Sequence, residues 1–86
     1  MQIILESAAK EDLAFFIKSG NKVTLKKITK LIEAITINPF EGIGKPEPLK
    51  YELSGVWSRR INQEHRIVYE VSGDTIVIHS LRGHYS

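Results

Sequence analysis

The spacing of apolar residues divides the chain into segments of different period. Gln2 to Leu5 is a short apolar, β-prone run, enough for a brief first strand. The spacing then changes: Ala9, Leu13, Phe16 and Ile17 recur at i, i+4, i+7 and i+8, one stripe of a helix. Ser7 is expected to cap this helix. Glu11 and Asp12 fall in its early turns, where the dipole favours acids, and Gly20-Asn21 ends it. A second helix is predicted from about Val23 to Ile37, with Leu25, Ile28, Leu31, Ile32 and Ile35 on its apolar face. Asn38-Pro39 stops it. From Phe40 to Lys50 the chain holds Gly42, Gly44, Pro46 and Pro48. This stretch cannot be a helix, is poor as a central strand, and reads as an ordered loop of the kind that carries function.

Three strands are predicted beyond it: Val56 to Ile61, His65 to Val71, and Thr75 to Leu81, the last two joined by a Ser72-Gly73-Asp74 hairpin turn. The order β-α-α-β-β-β makes an α+β fold. Two helices should cover one face of a small, mainly antiparallel sheet and leave the other face partly open. No repeat or composition break divides residues 1–86, which read as a single domain.

The first hairpin fixes which side chains are open. With Asn62-Gln63-Glu64 as a three-residue loop, Ile61 opposes His65 and Arg60 opposes Arg66. Trp57 and Ile61 then share a face with Ile67, Tyr69 and Val71. A slip by one residue would put them beside Arg66 and Glu70. In the favoured register Arg60 and Arg66 confront each other on the open face, a like-charge contact that destabilises by up to about 1 kcal/mol. Either an anion sits between them, for which the planar guanidinium fork suits a phosphate, or a neighbour such as Glu70 or Glu64 neutralises each. Arg59 falls on the core side, as a structural residue or one that reaches solvent by its long stem. The last strand leaves its facing open, because Ile76 and Ile78 alternate with Val77, His79 and Leu81 and both sets can be buried. His79 among them reads as a satisfied core histidine sooner than a catalyst, and Arg82 stays unassigned.

Composition narrows the classes. The chain has 86 residues and no cysteine, which excludes a disulfide framework and a thiolate metal site and fits a reducing cytoplasm. No apolar run approaches the roughly 20 residues that span a bilayer, and Met1 to Glu6 lacks the basic start of a secretory leader. The formal net charge of +2 permits a polyanionic partner without requiring one. Lys22, Lys26, Lys27 and Lys30 line the second helix, either as a solvated face or as a contact for an acidic protein or RNA. His65, His79 and His84 show no metal-ligand spacing, so neither a metal nor another cofactor is expected.

Metal-free cleavage of RNA needs a base for the 2′-hydroxyl, cations for the charge on phosphorus, and an acid for the leaving 5′-oxygen. Glu47 is the candidate base. Pro46 and Pro48 stiffen its backbone, and Lys45 and Lys50 flank it and would favour its ionised form if close; otherwise it is a charged residue of a proline-rich turn. His84 is the candidate acid, its residue type titrating near neutrality, unless the terminus is simply frayed. Tyr85 could stack on a base, donate to a phosphate, or pin the tail.

The run Asn38-Pro-Phe-Glu-Gly-Ile-Gly-Lys-Pro-Glu-Pro-Leu-Lys50 resembles the signature loop of the YoeB/Txe toxins. Leu53-Ser-Gly-Val-Trp-Ser-Arg-Arg-Ile61, Glu64-His-Arg-Ile-Val-Tyr69 and the closing His84-Tyr85 continue the pattern in the family's order. The resemblance implies the RelE-like microbial ribonuclease fold and cleavage of mRNA in the ribosomal A site, by 2′-hydroxyl attack that leaves a cyclic or 3′ phosphate and a 5′-hydroxyl. Its catalytic residues map onto Glu47, Arg66, His84 and Tyr85, and its supporting basic residues onto Lys50 and Arg60; Lys45 is the further candidate for phosphate binding. It also implies a YefM/Phd-type antitoxin partner that wraps the toxin, operator DNA bound only by the pair, a cytoplasmic setting and a possible homodimer. Two departures stand out. Ser86 extends past the histidine–tyrosine pair, and Gly83 replaces a bulkier residue and should loosen the approach to His84. The competing expectation is a non-catalytic toxin of the ParE kind on the same fold, acting on DNA gyrase, which needs no acid–base pair. A plain RNA-binding module using Arg60, Arg66 and Lys50 is the third.

Overall fold

The computed structural model describes residues 1–49 and 55–83. Lys50, His84, Tyr85 and Ser86 therefore lie outside the described residues. The chain runs β1 (Gln2–Leu5), α1 (Ser7–Lys18), α2 (Lys22–Ile37), β2 (Glu47–Pro48), β3 (Val56–Arg60), β4 (Arg66–Ser72) and β5 (Thr75–Ser80). The strands form one sheet in the order β1-β5-β4-β3-β2, parallel only at β1–β5. This is the expected α+β arrangement with one added strand. β2 is two residues long and sits at the sheet edge, where Pro48, lacking an N–H, costs no ladder bond.

Both helices cover one face. Ala9 and Phe16 of α1 and Ile28, Leu31 and Ile35 of α2 pack against Ile61, Ile67, Tyr69, Ile76, Ile78 and Leu81. The α2 stripe is as expected, and Lys22, Lys26 and Lys30 point to solvent. Two details of α1 differ. Ile17 is 59% exposed, while Asp12 is half-buried and accepts the Leu81 N–H at 2.9 Å. Ser7 is the first helical residue, not the cap. Glu6 holds the cap position without a side-chain cap bond: its N–H donates to the Ile78 carbonyl (2.9 Å) and its carboxylate lies 2.7 Å from His79 Nδ1. Asn21 does more than end α1: its Oδ1 accepts the Thr24 N–H and so caps α2.

The β3–β4 register is the expected one, with Trp57 opposite Tyr69, Arg59 opposite Ile67 and Arg60 opposite Arg66. Asn62 fixes the loop, its Oδ1 accepting the N–H groups of Glu64 and His65. At the other hairpin Ser72 opposes Thr75 around Gly73 and Asp74. Among the described residues no helix is long and apolar enough to cross a membrane.

Gly44 locks the loop before β2 onto β3. Its carbonyl accepts the Arg60 N–H at 2.6 Å, and its φ is 82°. A Cβ there would lie 2.7 Å from Leu31 Cδ2 and 3.1 Å from the Arg60 carbonyl oxygen. Gly44→Ala should therefore cost about 2–4 kcal/mol, from left-handed backbone strain and overpacking together. Urea denaturation would read this as a lower midpoint at unchanged slope.

Candidate functional site

The open face gathers charge at one end. Glu47 opposes Ser58, which in turn opposes Val68, and the next row along is Arg60 opposite Arg66. Cross-strand partners share a face, so β2 brings Glu47 onto the side of the sheet that carries both arginines. Arg66 is half-buried and donates from Nη1 to Ser58 Oγ at 3.3 Å; Ser58 is itself only 1% exposed. Arg60 and Glu47 are exposed. Lys45 is exposed at φ 51°, next to the Gly44–Arg60 bond, and makes no ion pair with Glu47.

The two acids expected as neutralisers are committed elsewhere. Glu64 pairs with His65 (3.0 Å) and Glu70 with His79 (2.9 Å). Among the described residues no carboxylate forms an ion pair with Arg60 or Arg66. Two arginines in register across β3 and β4, with a carboxylate on the same face, form a surface that favours an anion and carries a group able to accept a proton. Among the described residues no group of three or more His, Asp or Glu could hold a metal ion.

The loop that carries Glu47 hangs on Arg59. This residue is 0% exposed, on the core side as its register requires, and it never reaches solvent. Its guanidinium donates to the carbonyls of Asn38 (2.6 Å), Glu41 (3.0 Å) and Ile43 (3.2 Å), and through Nε to Tyr69 Oη (3.0 Å). Tyr69 donates onward to the Pro39 carbonyl at 2.6 Å. Phe40 packs on Trp57 with ring centroids 5.1 Å apart, and the Leu49 N–H reaches the Val56 carbonyl at 2.8 Å. The predicted ordered loop is thus ordered by a buried cation solvated with backbone carbonyls.

Burial raises the Tyr69 hydroxyl above the ordinary tyrosine value, and the Arg59 guanidinium lowers it by less. The folded form therefore favours the neutral phenol. Its contribution to stability is full below about pH 10 and is lost as the pH rises through the higher folded value. Denaturation midpoints followed from about pH 8 to 11 should fall more steeply for the native chain than for Tyr69→Phe. Equal slopes would contradict the assignment.

The remaining histidines were not legible from sequence. His79 is not a core residue. Ile76 and Ile78 take the core side of β5 at 0% exposure, which turns Val77 and His79 to the open face. There His79 Nδ1 lies 2.7 Å from Glu6 and Nε2 2.9 Å from Glu70. Arg82 stacks over the Phe15 ring of α1, its guanidinium carbon 3.5 Å from the centroid. Gly83 is held by two hydrogen bonds: its N–H donates to His65 Nδ1 at 2.8 Å and its carbonyl accepts the Arg66 N–H at 3.3 Å.

Comparison with known proteins adds independent findings. Residues 5–85 match the model of the YoeB-like toxin of bacterial type II toxin–antitoxin systems. A toxin YoeB of Synechocystis is 49% identical over 85 residues, spanning 99% of this chain and 98% of the relative. A toxin YoeB of Escherichia coli K12 is 45% identical over 85 residues, spanning 99% and 100%. Among solved structures, a YoeB/ParE toxin from Agrobacterium tumefaciens superposes with a TM-score of 0.94 at 39% identity, covering 99% of this chain and all of that one. The YoeB of a Staphylococcus aureus YoeB–YefM heterotetramer superposes with a TM-score of 0.87 at 45% identity, covering 99% and 98%.

Proposed function

Because the chain belongs to the YoeB-like toxins of bacterial type II toxin–antitoxin systems, we propose that it cuts mRNA in the ribosomal A site, by metal-independent acid–base catalysis on the open face. The observation that carries this reading is the pair Arg60 and Arg66, confronted across β3 and β4 without a carboxylate partner among the described residues, with Glu47 on the same face.

In this reading the scissile phosphate lies between the arginines, and Lys45 and Lys50 add positive charge at its approach. Glu47 takes the proton of the 2′-hydroxyl. The oxygen attacks the adjacent phosphorus, and Arg60 and Arg66 stabilise the extra charge that develops on the phosphoryl oxygens. His84 gives a proton to the departing 5′-oxygen, and Tyr85 stacks on a base or donates to the phosphate. The products are a cyclic phosphate and a 5′-hydroxyl. Ser58 holds Arg66 in place from a buried position, and Arg59 holds the carbonyls of the loop that leads to Glu47.

A YefM-type antitoxin is the proposed partner, as in the YoeB–YefM complexes from Staphylococcus aureus. A homodimer is proposed after the YoeB dimer of the same organism. The setting is the cytoplasm, where ribosomes are, and operator DNA is bound only by the toxin–antitoxin pair.

Glu47→Gln separates cutting from binding. The amide cannot take the proton but keeps the size and exposure of the side chain. Co-sedimentation with ribosomes should be unchanged, while cleavage of a stalled mRNA falls at least about 100-fold. A variant that cuts at the native rate would remove Glu47 from the mechanism.

A further inference from the structure

His65 lies at the start of β4's approach, opposite Ile61, and its side chain is only 11% exposed. Its ring meets the edge of Phe16 in α1, with centroids 5.2 Å apart at 71°. The two ring nitrogens have different partners. A backbone N–H, that of Gly83, points at Nδ1 from 2.8 Å, and an N–H can only donate. Nδ1 must therefore be the unprotonated nitrogen. Nε2 faces a Glu64 carboxylate oxygen at 3.0 Å, which can only accept, so Nε2 carries the proton. Together these contacts select the neutral Nε2–H tautomer.

The selected tautomer matters because of where Gly83 is. Its carbonyl accepts the N–H of Arg66 at 3.3 Å, so the residue is held from both sides directly beside the arginine proposed to face the phosphate. Its φ of 91° turns the chain there in a way that favours glycine. His84 is the next residue along the chain. Whatever fixes Gly83 fixes the point from which the proposed acid is delivered.

We propose that His65 is a positioning residue: as a neutral Nε2–H imidazole it accepts the Gly83 N–H and anchors the chain leading to His84 beside Arg66. The proposal rests on the reading of His84 as the proton donor, and its test separates the two. His65→Phe keeps a ring against Phe16 and removes the acceptor. His65→Asn places Oδ1 where Nδ1 was and restores it.

Ring nitrogen NMR shifts of the native protein should show the Nε2–H tautomer. The Gly83 amide should be protected from hydrogen exchange in the native chain and in His65→Asn, and lose about tenfold of that protection in His65→Phe. On programmed ribosomes His65→Phe should lower kcat about tenfold at unchanged KM, with His65→Asn within about twofold of native. A native ring protonated at Nδ1 would overturn the anchor even if His65→Phe fails to fold. So would a folded His65→Phe with native Gly83 protection and native kcat. If the native protein cuts nothing, the proposed activity falls, and the tautomer and Gly83 protection still judge the anchor.

Discussion

Replacing Arg59 with leucine is expected to unfold a large fraction of the protein, while the same change at Arg60, one residue along, leaves stability within about 0.5 kcal/mol. The sheet puts these neighbours on opposite faces, and their surroundings differ accordingly. Arg59 supplies donors to three loop carbonyls and to Tyr69 Oη inside the core. Leucine fills part of the volume and satisfies none of them. Each orphaned buried acceptor costs roughly 1–3 kcal/mol, and loss of one partner of a buried charged network typically costs about 3–5 kcal/mol. A chain of this size has a total stability of only about 4–13 kcal/mol. Lysine at this position keeps the charge but not the fork, so it should recover little. Chemical denaturation of the three variants decides the matter. An Arg59→Leu protein as stable as Arg60→Leu would mean that the cage does not hold the loop.

The second large effect is on the reaction and has the opposite sign on the fold. Arg66→Gln should reduce mRNA cleavage by about 100- to 1000-fold, the scale of losing one preorganised donor to a developing oxyanion. Stability should stay unchanged or rise by up to about 1 kcal/mol, because a like-charge pair across β3 and β4 is relieved and, among the described residues, one side-chain bond, to Ser58, is lost. Arg66→Lys should fall between, since an ammonium keeps the charge without the bidentate geometry. A thermal melt beside a single-turnover cleavage assay gives both numbers for one preparation. A variant that is both inactive and strongly destabilised would assign Arg66 to the fold instead.

Much of this was legible in the sequence, for a specific reason. The β3–β4 hairpin has one burial-competent face in only one register, so alternation alone confronted Arg60 with Arg66 and turned Arg59 inward. The last strand lacked that asymmetry. Ile76, Ile78, Val77 and Leu81 all suit a core, and only pairing with β4 turned His79 outward to Glu6 and Glu70. β2 was invisible for another reason. Two residues, one of them proline, have no period, and the loop that leads to them is held by carbonyls that Arg59 gathers from 16 to 21 residues away. Carbonyl acceptors leave no mark in a side-chain pattern, so the cage could be anticipated only as far as Arg59's parity. Ser7 is not the cap because Glu6, tied to β5 by its N–H and to His79 by its carboxylate, takes that position, a tertiary effect that local capping preference does not include. The link from His65 to Gly83 had no sequence signal at all.

The central proposal is that the open face bearing Glu47, Arg60 and Arg66 cuts mRNA on the ribosome. Incubating the protein with ribosomes stalled on a defined mRNA, and mapping the new 5′ ends, tests it most directly. The expected result is new 5′-hydroxyl ends confined to the codon in the A site, absent with Glu47→Gln and with Arg66→Gln. Intact mRNA under the same conditions, with DNA gyrase inhibited by the same preparation, would contradict it.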